Sequence, residues 1–75
     1  MPRRSESDIK YYMDIVNSQL ERLGSAKRLV LGGRYGYYAI DTEDGYVVDT
    51  GLTKSQVYDI VLSMSTVLGY VEKVK

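Results

Sequence analysis

The chain has no cysteine, histidine, tryptophan or phenylalanine among its 75 residues, and only one proline. Without cysteine there are no disulfides to brace a small fold and no thiolate chemistry. Without histidine as well, zinc sites built from nitrogen and sulfur ligands are excluded. The usual general base beside a catalytic nucleophile is missing too. No stretch approaches the roughly 18 consecutive apolar residues of a membrane span. The opening segment MPRRSESDIK carries two arginines with no apolar run behind them, so it does not read as a secretory signal. The expectation is a soluble, cytoplasmic chain that is not an enzyme and takes no cofactor, metal or small-molecule substrate.

At this length there is room for one core, and such a chain buries only about 60% of the surface its unfolded form exposes. Residues 1–75 are expected to form a single domain, with 1–5 as a flexible arm and 70–75 as a tail. Either the core is well patterned or burial is borrowed from a partner. The net charge is zero but unevenly spread: residues 1–34 hold seven basic and four acidic groups, and residues 35–60 hold Lys54 against five acids. Such asymmetry can steer one end toward an anionic partner or one copy toward another. All eight aromatic residues are tyrosines. Tyrosine packs as a core ring while its hydroxyl still wants a partner, and it is favoured at interfaces.

Ile9, Tyr12, Met13, Val16, Leu20 and Leu23 fall on one helical face, which predicts a helix over about 6–23. Ser5 or Ser7 can cap its start, Glu6 and Asp8 suit its positive end, and Gly24 is placed to stop it. A second helix opens on the capping box Thr53-x-x-Gln56, with Leu52 and Val57 as its hydrophobic staple. Val57, Ile60, Val61, Met64, Val67 and Leu68 are its expected buried face, and Gly69 its expected stop.

Between the helices the period changes to two, and KRLVL, YYAID and YVVDT read as three short strands. Leu29 and Leu31 must share the buried face with Tyr38 and Ile40, so the first loop must hold an even number of residues. Gly32-Gly33, or Gly32 to Tyr35, satisfies this. The second loop, Glu43-Asp44-Gly45, suits a three-residue hairpin with Gly45 in the left-handed region. That pairing sets Ile40 opposite Val48, with Tyr46 and Val48 inward and Val47 and Asp49 outward. The predicted architecture is α+β, in the order α-β-β-β-α: a three-stranded antiparallel meander with both helices on one face.

The other face would carry Arg28, Val30, Tyr37, Ala39, Asp41, Val47 and Asp49. Its apolar group, Val30, Tyr37 and Val47, is the candidate protein interface for a homodimer or another partner. The alternative is nucleic-acid binding by Arg22, Lys27, Arg28 and Arg34 along one end, helped by Tyr35 and by Arg3 and Arg4 on the arm. Catalytic and ligand motifs fare worse. Gly32, Gly33 and Gly36 match no phosphate-binding pattern and precede no helix. Of the positions a calcium loop would use before Gly45, only Asp44 is a convincing ligand.

The α-β-β-β-α order is similar to that of the double-stranded RNA-binding domain, whose last helix opens on a basic cluster; here it opens on TKSQVYD. The segment from Tyr35 to Val61 resembles the sheet and helix of integrase arm-binding domains, which are much more basic. LGGRYGYYAID, the VDT strand and GLTKSQVYDIVLSM together resemble small uncharacterised proteins encoded by phages and prophages, over residues from about 17 to 66. That resemblance implies a viral or mobile-element origin and no defined activity, so it carries no catalytic residue to this chain.

Overall fold

The computed structural model describes residues 5–74. Its elements are α1 (Glu6–Arg22), β1 (Leu29–Arg34), β2 (Tyr37–Thr42), β3 (Val47–Leu52) and α2 (Lys54–Val74). The strands form an antiparallel sheet in the order β1-β2-β3, and both helices pack on one face of it. An odd number of strands separates the helices, so α1 and α2 run parallel. Tyr12 meets Tyr58, Gln19 meets Ser65 and Arg22 meets Glu72, both numbers rising together. The core is the cluster Ile9, Met13, Val16, Leu29, Ile40, Leu52, Val57 and Val61.

The helix ends follow local chemistry. Ser5 is the N-cap of α1: its hydroxyl accepts from the Asp8 amide, and the Asp8 carboxylate accepts from the Ser5 amide. Ser5 therefore belongs to the helix cap rather than to the arm expected over residues 1–5, and the other four residues of that arm lie outside the described ones. At the other end Gly24 has φ +88°, Gly24 N–H donates to Glu21 and Ser25 N–H donates to Leu20. These two bonds are the Schellman pair that satisfies the last carbonyls of a helix. The Thr53–Gln56 box forms as the sequence predicts, with reciprocal bonds of 2.8 and 3.2 Å.

Gly69 does not stop α2, and the expected tail is helical as far as Val74. Glycine costs a helix interior only about 1 kcal/mol relative to alanine. Here Gly69 faces Gln19, and the Arg22 guanidinium holds the Glu72 carboxylate at 3.1 and 3.3 Å one turn further on. Tertiary contact with α1 outweighs the local stop signal.

The first hairpin keeps the predicted even loop but moves it. Its two residues are Tyr35 and Gly36, with φ +55° and +80°, and Arg34 pairs with Tyr37, Leu31 with Ile40 and Leu29 with Thr42. Positive φ at both central residues is the type I′ pattern, whose twist matches the flanking strands. Tyrosine is an unusual choice there, since a Cβ disfavours the left-handed region. Tyr35 is also 98% exposed and packs on nothing. Tyr35→Asn is expected to stabilise the domain by roughly 0.5–1 kcal/mol, read as a higher urea midpoint. A lower midpoint would mean that the ring stabilises the hairpin.

The second hairpin starts as predicted, with Gly45 at φ +96° and Asp41 opposite Val47. It then departs. Ile40 pairs with Asp49 rather than Val48, and Tyr38 pairs with Leu52, across two register shifts. From Asp41–Val47 to Tyr38–Leu52, β3 advances five positions while β2 advances three. The two extra residues bend β3, as bulges do. Tyr46 and Val48, expected inward, are exposed, and Leu52 alone of this strand reaches the core.

Candidate interaction surfaces

The outer sheet face is built differently from its sequence pattern. Val30, Asp41 and Val47 form one cross-strand row, so an aspartate stands between the two valines. Arg34 comes from the same face and donates to both Asp41 oxygens, at 3.2 and 3.4 Å. A Cβ on Gly32 would collide with Asp41 Oδ2, so glycine at this position is what lets the carboxylate lie flat across β1. Ala39, opposite Gly32 and expected on an open face, is fully buried. Tyr37 sits by the hairpin turn, opposite Arg34, away from both valines. The three candidate interface residues are partly exposed, but an ion pair splits them and no continuous apolar patch results.

The proposed nucleic-acid residues are likewise separated. Arg22, Lys27 and Arg28 lie at the end of the molecule where α1 stops and β1 begins. Arg34 and Tyr35 lie at the far end of β1, five residues and roughly 17 Å away at strand rise. Each cation has an acidic partner: Arg22 with Glu72, Lys27 with Asp44, Arg28 with Glu21, and Arg34 with Asp41. Arg28 also donates to the Ser25 and Lys27 carbonyls. Arg3 and Arg4 lie outside the described residues.

The remaining electrostatics are local. The Lys27 ammonium and then the Thr42 hydroxyl hold the Asp44 carboxyl below its usual range. A depressed carboxyl stabilises the fold above the ordinary carboxylate range and stops doing so as pH falls through the lowered value. Asp44 is at the surface, where such pairs contribute little. Tyr11, Tyr12 and Tyr58 stack edge-to-face with centroids 5.2 and 5.6 Å apart. The neighbouring Tyr58 raises the Tyr12 phenol above its usual range, and the hydrogen bond from Tyr38 to Glu6, 3.1 Å long, does the same for Tyr38. Among the described residues no cluster of carboxylates could hold a metal ion, and no helix is long and apolar enough to cross a membrane.

The surface that the sequence reading missed is on α2. The expected single buried face splits in two. Val57 and Val61 are fully buried against the sheet, while Val67 is 60% exposed. α1 meets α2 at Tyr58, Ser65 and Glu72, a spacing of seven. Ile60, Val67 and Val74 follow two residues behind, about 200° around the helix, and so face away from α1. Ile60, Met64, Val67 and Leu68 line an apolar groove edged by Asp59 and Ser63, and exposed Val71 and Val74 continue the line beyond it. The signal was in the sequence: Val57, Ile60, Met64, Val67, Val71 and Val74 alternate steps of three and four. Ending the helix at Gly69 hid the last third of it.

No protein family model, curated protein or solved structure matches this chain.

Proposed function

We propose that this chain is a small non-enzymatic protein-interaction module whose working surface is the apolar stripe of α2. The observation that carries the reading is the row Val67, Val71 and Val74, all exposed, which continues the line of half-buried Ile60 and Met64 along one side of the helix. Exposed β-branched residues are poor helix formers and gain nothing from water. Three exposed valines in one line are therefore better accounted for by a partner than by the fold itself. Contiguous apolar patches on small soluble domains commonly mark such contacts.

A nucleic-acid role for the basic residues has less support. Four of its cations are already neutralised by carboxylates, and they lie at opposite ends of β1.

The test is a photoreactive phenylalanine analogue at Val67, in cells that make the chain, compared with the same probe at exposed Ser18 on α1. Covalent protein adducts are expected from position 67 and not from position 18. Equal labelling at the two positions would remove the reading.

A further inference from the structure

We infer that the occupant of the α2 stripe is a second copy of this chain, its α2 packed antiparallel across a two-fold axis at the level of Thr66. This rests on the stripe being an interaction surface, and three observations select the second copy. The first is periodicity. Apolar residues recur every 3.5 residues from Ile60 to Val74, the repeat that lets one helix seam pack along another of the same kind.

The second is charge. Asp59, Thr66 and Lys73 form a line with a spacing of seven on the flank of the stripe, acidic at one end and basic at the other. An antiparallel pair centred on Thr66 sets Asp59 of each copy beside Lys73 of the other, whereas a parallel pair sets like beside like. Asp59 is already engaged within its own chain, and a carboxylate accepts from more than one donor.

The third is size. Ser63 and Thr66, both exposed, flank the centre of the stripe, and small side chains let two helix axes approach to about 8 Å. A two-fold arrangement uses the same patch on both chains and closes on itself, leaving no stripe exposed.

Sedimentation should show a monomer–dimer equilibrium in the micromolar range, as a small interface allows. Val67→Glu is expected to weaken it by at least ~100-fold, because each dimer would bury two unpaired carboxylates. The monomer should keep its urea midpoint, since Val67 is already 60% exposed. Lys73→Glu should weaken association roughly tenfold. Orientation is read separately in this cysteine-free chain. Thr66→Cys should cross-link to itself through a short bismaleimide. Lys73→Cys should not, since its two copies stand roughly 21 Å apart along the axis.

A strict monomer up to near-millimolar concentration overturns the second copy, yet leaves the interaction reading standing if Val67 forms adducts with a different protein. A dimer indifferent to Val67→Glu overturns the location, and efficient cross-linking at position 73 overturns the antiparallel orientation. Absence of any adduct at position 67 removes the reading beneath both.

Discussion

Ile40→Ala is expected to destabilise the domain by about 3–4 kcal/mol, a large share of the stability a chain of this size has. Ile40 is fully buried in the central strand, opposite Leu31, in the one cluster that joins both helices to the sheet. Its removal costs the transfer free energy of the lost methyl groups and leaves a cavity that the rigid surroundings only partly fill. A 75-residue chain has on the order of 4–11 kcal/mol of total stability, with no disulfide to share the load. The urea midpoint should fall steeply with little change in the slope of the transition. Ile40→Val should cost only about 1 kcal/mol. A loss below 1 kcal/mol for the alanine variant would mean that the two layers hold together without this contact.

Asn17→Ala should cost about 2–3 kcal/mol, although it removes no core side chain. The Asn17 amide is half-buried and binds the backbone of Leu29 twice: its oxygen accepts from the Leu29 N–H at 2.7 Å, and its nitrogen donates to the Leu29 carbonyl at 3.0 Å. Antiparallel ladders alternate, and Arg28 already bonds inward to Glu43. Leu29 therefore points its backbone groups out of the sheet. Asn17 supplies the two bonds that a fourth strand would otherwise make. Without it those groups lie under α1 with no partner, and the penalty for unsatisfied buried groups exceeds the gain from each bond when made. Asn17→Asp should be no milder, since it keeps the acceptor but turns a carboxylate toward the Leu29 carbonyl. Hydrogen exchange is the direct measurement, with protection of the Leu29 amide falling further than that of Leu31. Unchanged exchange at Leu29 would show that water replaces the side chain at no cost. The substitution also extends the unpaired edge of β1, so a greater tendency to aggregate is expected with it.

These two positions show what could be read without coordinates. Ile40 belongs to an alternating strand, and its inward orientation followed from parity alone. Asn17 sits within a helix and carries no local signal, because its partner lies twelve residues away across a turn.

The α2 stripe falls between these cases. Its 3.5-residue repeat is visible in the sequence, but reading it depended on the helix continuing through Gly69. What carries the helix past that glycine is contact with Gln19 and the ion pair between Arg22 and Glu72, and both come from α1.

The amino-acid order by itself determined the two helices, their starts and the stop of the first, the three strands, the even first loop and therefore the α-β-β-β-α meander. All of these rest on interactions within a few residues, where spacing sets geometry. Only the tertiary structure decided which glycine turns the chain, how far α2 runs, how β3 bends away and which acid neutralises each cation. Tyr35-Gly36 forms the turn, while Gly32 is kept small for the Asp41 carboxylate, a neighbour brought there by strand pairing. Choices of that kind depend on distances through space between residues far apart in the chain. Local periodicity encodes which side a residue faces, and the assembled layers settle what it meets there.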